Sequence, residues 1–376
     1  MPIILLLIAF RRHAGSKYVK ATCQSAQCDK KLYFCKPCRL KRCYDMGMNM
    51  EKFQYNRDSL ISSRQTLPRS FGIFVGRSDL VLFCTQSEPT FKDEKKTFID
   101  MKLLLRKASE ILEFGPETPT RVWDSKRSHL EKLSIAFQSQ TSSSFGKLFE
   151  KVSQAEMSKF WEYYVLRVAK WLTYFEEFQK IPHAMKVKLL QTFWHVWGRL
   201  DKLAATARSR KLIKADNKRC WAMSNGMIMD LEKTKLDFTW MSDYPLENIY
   251  YFLAGIATWD LIPHIDSMEK LEITDMELNY LLAQLAFSYA GKRHQGDILK
   301  ICERFEEILA NDLHNYYVNE MRMPNYSVRM CQLMKINSAI QRDIIVNRPR
   351  CELAALFNVF SVEFSHPEMF FDTGLA

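Results

Sequence analysis

The sequence predicts a mainly α-helical, layered domain with one small β-hairpin, preceded by a short cysteine-rich module. Three observations carry this prediction. Glycine and proline are scarce, at 12 each in 376 residues, while 47% of the residues are hydrophobic; few chain reversals and a bulky core suit long helices better than many short strands. From about residue 88 onward, apolar residues recur at helical spacing. Five of the ten cysteines fall between Cys23 and Cys43.

The chain opens with MPIILLLIAF. This run is too short to cross a bilayer. It has no basic residue before it and is followed by Arg11 and Arg12, which is not the order of a signal peptide. No later stretch approaches a membrane span, so the expectation is a soluble intracellular protein with no membrane partner. Its cysteines are then thiols or metal ligands rather than disulfides. Residues 1–58 hold twelve Lys or Arg against four Asp or Glu, so most of the net charge of +11 sits there. A basic segment ahead of a nearly balanced body points to contact with a polyanion such as DNA, RNA or an acidic membrane.

Within that basic segment, Cys23 and Cys28 form one close pair and Cys35 and Cys38 a C-x2-C pair. Two close pairs can supply four thiolates to one tetrahedral zinc ion. The surrounding Lys and Arg reduce the cost of gathering that negative charge. The plainer alternative is a set of unliganded thiols. Cys43 differs: Leu40 and Cys43 recur at helical spacing from Cys38 onward, so Cys43 is expected to pack inward while Lys41 and Arg42 face out toward phosphates.

The stretch CKPCRLKRCYDMGMNMEKFQYNRD resembles the second zinc module of a nuclear hormone receptor, with its CxxCRxxKC…GM ending. EKFQYNRD and FGIFVGRSDLVLFC resemble the supplementary receptors expanded in nematodes, and AFRRHAGSKYVKATC resembles the run that follows the first zinc module. The resemblance implies zinc on Cys23, Cys28, Cys35 and Cys38, and phosphate or DNA contacts from Arg11, Arg12, Arg39, Lys41 and Arg42. It also implies a nuclear location. The family's first zinc module would precede Phe10, where this chain has only MPIILLLIA. The residues that read base edges belong to that first module, so the expectation is a partial DNA-binding domain, or true upstream exons that encode the rest.

Residues 51–87 read as a hinge of mixed charge with short local structure. From Lys92 to Phe114, the apolar set Phe98, Met101, Leu104, Leu105, Ala108 and Leu112 predicts one helix with a buried face, stopped at Gly115-Pro116. QSQTSSSFG, residues 138–146, reads as an exposed loop. In FWEYYVLRVAKWLTYFEEF, residues 160–178, Trp161, Val165, Val168, Leu172 and Phe175 form a stripe, with Tyr164 and Trp171 beside it. A second helix from about Met185 to Ala207 carries Leu189, Leu190, Phe193, Val196, Trp197, Leu200 and Leu203. Both are apolar over an arc wide enough for a buried helix. Asn225-Gly226 predicts a two-residue hairpin turn. Thr274 with Glu277 makes a capping-box pattern. Asp297 to about Tyr317 turns Ile298, Ile301, Phe305, Ile308 and Leu309 inward, and Ser327 to about Ile345 repeats the pattern with Met330, Met334 and Ile340.

Ala169-Lys170, Phe175, Phe178, Leu189 and Leu190 follow the order of the signature region of nuclear receptor ligand-binding domains. The resemblance extends to the ending FSVEFSHPEMFFDTGLA, which is similar to the family's terminal activation helix. There an acidic residue and a lysine on an earlier helix grip the two ends of a co-regulator helix, each neutralising one end of its dipole; by position these are Glu368 and Lys170. The aromatic stripes read first as core packing; the alternative is the lining of a pocket for a small apolar ligand. The helix from Ser327 is placed where the family dimerises, with its own copy or with another receptor.

No H-E-x-x-H, G-x-S-x-G, P-loop or G-x-G-x-x-G motif occurs, and His264 near Asp266 is an isolated pair. The domain reading is residues 1–50 as the partial zinc module, 51–87 as hinge and 88–376 as a ligand-binding domain. The functional reading is a ligand-regulated or orphan transcription factor. The alternative is a DNA-independent module that dimerises with, and modulates, other receptors.

Overall fold

A computed structural model of the chain describes residues 36–45, 71–77, 79–86, 97–116, 126–213, 220–230, 232–252 and 262–375. Cys23, Cys28, Cys35, Arg11 and Arg12 lie outside the described residues.

In chain order the described elements begin with α1 (Lys36–Asp45), β1 (Phe71–Arg77), β2 (Leu82–Gln86), β3 (Thr97–Asp100) and α2 (Lys102–Phe114). They continue with α3 (His129–Ser139), β4 (Lys147–Leu148), β5 (Lys151–Val152), α4 (Gln154–Leu172) and α5 (Glu176–Gln179). The long α6 (His183–Ile213) leads into β6 (Cys220–Ala222), β7 (Met227–Asp230), β8 (Lys235–Leu236), α7 (Leu246–Phe252) and α8 (Ile262–Leu271). Then come α9 (Asp275–His294), α10 (Gly296–Asn315), one wide turn at Tyr316–Glu320, α11 (Ser327–Leu356), β9 (Val362–Phe364) and a terminal 3-10 turn (Pro367–Phe370).

The helices are layered around α6, which packs against α2, α4, α8, α9 and α11. It is apolar on nearly every side: Leu189, Leu190, Phe193, Val196, Trp197, Leu200 and Leu203 are all buried. The stripe on α4 is buried as its spacing requires, at Trp161, Tyr164, Val165, Val168, Trp171 and Leu172, and Phe175 follows it into the core. Capping boxes start both α4, at Ser153 with Glu156, and α9, at Thr274 with Glu277. Each satisfies backbone donors that the first helical turn leaves open.

Glu277 does more than cap. It is fully buried and also accepts from Arg329 Nη2 at 2.7 Å and from the Tyr317 hydroxyl. This joins α9 to the wide turn and to the start of α11. A buried carboxylate is tolerated only with such donors around it.

The predicted helix from Lys92 to Phe114 is corrected. Among its described residues, Lys102–Phe114 alone is helical; Thr97–Asp100 is a strand, paired antiparallel with β2 and parallel with β9. Phe98 and Ile99, on opposite sides of that strand, are both buried because the sheet β1-β2-β3-β9 is covered on two faces. Strands β1 and β2 come from residues read as hinge, so the ordered body reaches into that segment. α3 likewise runs to Ser139, shortening the loop predicted from residue 138.

The hairpin at Asn225-Gly226 forms, with Trp221 opposite Met229 and Ala222 opposite Ile228. Its turn is longer than the two residues expected: Gly226 N–H donates to the Met223 carbonyl at 2.9 Å, and Gly226 takes φ +88°. A Cβ there would lie 2.5 Å from the Ser144 carbonyl oxygen, so only glycine fits. Buried Arg167 and Asp201, 3.3 Å apart, anchor the hairpin from below, because Ser224 Oγ donates to Asp201 at 2.7 Å.

Candidate functional site

A cavity of about 180 Å3 lies between α4, α6, the hairpin and the chain's last residues. The elements present it by periodicity. Met157, Trp161 and Tyr164 fall on one face of α4, and His195, Gly198, Arg199 and Lys202 on one face of α6, at spacings of three and four. Trp221, Met223 and Met229 of the hairpin form the far wall, and Phe370, Thr373 and Leu375 close it. Gly198 brings the α6 backbone close to the Tyr164 ring, with an ideal Cβ only 3.0 Å from that ring.

The lining is mostly apolar, with a polar edge. Arg199 is engaged elsewhere: it donates to Asp343 at 3.1 Å and to the Asp372 carbonyl at 2.8 Å. The Tyr164 hydroxyl and both ring nitrogens of His195 are buried and make no hydrogen bond of normal geometry. Burial, with Arg199 beside it, lowers the His195 pKa to about 3, against weaker opposite pulls from Asp372 and the Thr192 carbonyl. The ring is therefore neutral. Among the described residues, no carboxylate partners Lys202. Its ammonium lies 5.8 Å from the centre of the Trp221 ring. Burial and like-charged Arg199 bring its pKa down to about 8. Groups of this kind, converging on an apolar cavity, are what orient a bound molecule.

The terminal segment is firmly docked. Met369 and Phe370 are fully buried. Phe370 stacks on Phe364 at 3.8 Å and meets the edges of Trp161 and Trp194 at 5.2 and 5.8 Å. The Trp194 indole N–H donates to the Met369 carbonyl at 2.9 Å. Asp372, held at φ +60°, takes both Arg348 donors at 3.0 and 3.1 Å and the Tyr289 hydroxyl at 2.8 Å. Arg293 is 3.5 Å away. Burial alone would raise the Asp372 pKa, but these donors, Arg348 first, hold it below the usual carboxylate range.

Glu368 and Lys170 do not touch one another. Glu368 is half-buried and accepts a long, 3.4 Å contact from Gln191 on α6. Lys170 stands in the last turn of α4 and lines a separate cavity of about 140 Å3 with Ile111, Phe114 and Thr173. Phe370 packs on Trp161, nine residues before Lys170, which is about 14 Å along the α4 axis. Along α4 the two candidates are thus separated, with the turn that carries Glu368 beside Trp161 and Lys170 in the last turn.

In the N-terminal module only α1 is described. Cys43 is fully buried, as its spacing predicts, and Lys41 and Arg42 are exposed. Arg39 is half-buried beside Cys43. Cys38, also half-buried, is the one predicted zinc ligand among the described residues; Cys23, Cys28 and Cys35 lie outside them. Among the described residues no group of three or more His, Cys, Asp or Glu could hold a metal, and no helix is long and apolar enough to cross a membrane. The isolated His264–Asp266 pair is accounted for by packing: Asp266 binds Arg210 at 3.0 Å.

The polar edge at Tyr164, His195 and Lys202 escaped the sequence reading. The signal was present in the spacing of His195 and Lys202 on the apolar face of α6, but a charge on such a face reads as solvent-exposed until the cavity is seen.

Comparison with known proteins adds the family context. The profile described as the ligand-binding domain of nuclear hormone receptor matches residues 142–357. The chain is 55% identical over 368 residues to nuclear hormone receptor family member nhr-90 of Caenorhabditis elegans, covering 98% of this chain and 91% of that one. It is 41% identical to family member nhr-115 of the same organism, across 97% of this chain and 92% of that one. It is also 41% identical to family member nhr-130, across 91% and 80%.

Proposed function

Because the chain belongs to the nuclear hormone receptor family, we propose that it is a transcription factor of the nucleus, ligand-regulated or orphan, acting through DNA and co-regulators. One observation supports ligand regulation above the rest. The cavity and the docked terminal segment share a wall, since Phe370, Thr373 and Leu375 line the cavity while half-buried Glu368 stands on the turn that carries Phe370. A molecule that fills the cavity touches the segment directly, and the difference in its affinity for the docked and loose states sets the shift between them. Nothing in this reading requires a catalytic step.

The ligand is a small apolar molecule with an acidic or acceptor head. A cavity of about 180 Å3 is only a little larger than the ~150 Å3 that accommodates benzene. The head faces Lys202, with the Tyr164 hydroxyl as a further donor. An ammonium in such surroundings lacks the compensation that a carboxylate would bring.

Zinc bound by Cys23, Cys28, Cys35 and Cys38 would fold the N-terminal module, which is too short to hold itself together by apolar burial. Arg11, Arg12, Arg39, Lys41 and Arg42 would then contact phosphate, a term that positions the protein on DNA without reading sequence. Selection from a random duplex library at near-physiological salt, using the zinc-loaded chain, tests this part. Enrichment of a short site supports the transcription factor. Weak, steeply salt-dependent binding without enrichment contradicts sequence-specific DNA action.

A second reading, a DNA-independent module that dimerises with other receptors, has its own support on α11. Val328 and Val346 are eighteen residues apart, five full turns, and so face the same way. They are 70% and 59% exposed. Two exposed valines on one face, with Gln332, Lys335 and Arg342 exposed between them, offer a partner apolar contacts within a polar surface.

A further inference from the structure

Leu104, Leu105, Ala108 and Leu112 make α2 an amphipathic helix whose buried face packs on α4 and α6. At the start of α6, His183 Nε2 meets Ser109 Oγ at 2.7 Å. The beginning of α2 is tied to the terminal segment: Ser365 Oγ accepts the Met101 N–H at 2.9 Å, and Asp100 and Lys102 lie within electrostatic reach of His366, as does Glu368. The end of α2 reaches Lys170, because Ile111, Phe114 and Gly115 line one small cavity together with it.

The helix therefore runs from the Glu368 end of the surface to the Lys170 end. That is the polarity a helix needs between an acid and a base, since its N-terminus is the positive pole and its C-terminus the negative one. α2 carries no acidic residue in its first turn and no basic residue in its last. Its local help is Asp100, which accepts the Lys102 N–H at 3.0 Å; at the other end the neighbouring cation comes from α4. Its thirteen residues span about 20 Å, enough to cover the surface.

From these relationships we propose that α2 is the chain's own occupant of its co-regulator surface, and that an external leucine-rich amphipathic helix binds there only by displacing α2. The inference rests on the reading of Lys170 and Glu368 as co-regulator residues. It adds that the surface is self-occupied, so recruitment of a partner is a competition between two helices of one chemical type. Local concentration favours the tethered one.

The probe that tests this is a fluorescent peptide of α2's own sequence, residues 101–115, titrated into the intact chain. Leu105 lies at the margin of the buried face at 8% exposed, so Leu105→Ala weakens the resident helix. The expected result is peptide affinity about tenfold higher in Leu105→Ala than in the wild-type chain, with the gain removed when Lys170→Ala is added. In parallel, hydrogen exchange over residues 102–114 of the wild-type chain should rise at saturating peptide, a readout that serves even if Leu105→Ala does not fold. Equal affinity in the two folded chains, or peptide binding that leaves residues 102–114 protected, overturns self-occupancy and leaves the co-regulator reading standing. Absence of binding to either chain overturns both.

Discussion

The indole N–H of Trp194 donates to the Met369 carbonyl at 2.9 Å, and the same indole lines the central cavity. One side chain thus touches both the space for a ligand and the segment that a ligand would control. Trp194→Phe keeps an aromatic side chain, though a smaller one, and removes the donor, leaving a buried carbonyl unsatisfied. The expected cost is about 1–3 kcal/mol in urea unfolding, with faster hydrogen exchange over residues 367–375 than elsewhere in the body.

Asp372 gathers Arg348, Arg293 and Tyr289. Asp372→Asn removes the charge but not the shape, leaving two buried or half-buried guanidiniums without their carboxylate. Loss of one partner from a buried pair costs about 3–5 kcal/mol. The pH dependence has a definite sign. The folded-state pKa is depressed, so this contribution is present above the unfolded carboxylate value of about 4 and is lost as pH falls through the lower folded value. The difference in stability between wild type and Asp372→Asn should therefore shrink on acidification below pH 4.

Lys202 is expected to weaken the empty protein. Its folded pKa is lowered to about 8, so its unfavourable contribution is full below that value and disappears as pH rises past the unfolded lysine value. Lys202→Met should raise the stability of the ligand-free chain by about 2 kcal/mol at pH 7, a figure reduced for partial solvation. The same change should abolish a preference for octanoate over 1-octanol in tryptophan-fluorescence titrations. In the wild type that preference should fade as pH rises through about 8, while octanol binding stays level. Equal binding of the two probes at pH 7 would remove Lys202 from the ligand reading.

Glu306 on α10 offers an independent check of the electrostatics. Burial raises its pKa to about 7, against weaker opposition from Gln284 and Lys292. The stability it contributes is present below the unfolded value and lost as pH rises through about 7. Glu306→Gln should stabilise the chain by about 1 kcal/mol at pH 8 and change nothing below pH 4.

Much of this was legible in the sequence. The stripes on α4 and α6, the capping box at Thr274, the inward Cys43 and the position of the hairpin follow from spacing and local chemistry, which act over a few residues. What escaped depends on pairing between distant parts of the chain. Thr97–Asp100 carries the same apolar residues a helix would, and it becomes a strand because Val362–Phe364, more than 260 residues later, pairs with it. The family resemblance pointed to Lys170 and Glu368, but that α2 lies along the surface between them is visible only after folding. Lys202 and His195 were hidden for the opposite reason: their spacing places them on the apolar face of α6, and only the cavity explains why polar groups belong there.

The account turns on whether filling the cavity acts on the terminal segment. The most direct measurement is hydrogen exchange over residues 362–375 of the intact chain, with and without saturating octanoate, at pH 7. The account predicts added protection at residues 367–375, since Phe370, Thr373 and Leu375 form the wall that the bound molecule touches. Protection that rises only on α4 and α6, with residues 367–375 unchanged, would contradict it: the cavity would bind a molecule without controlling the segment beside it.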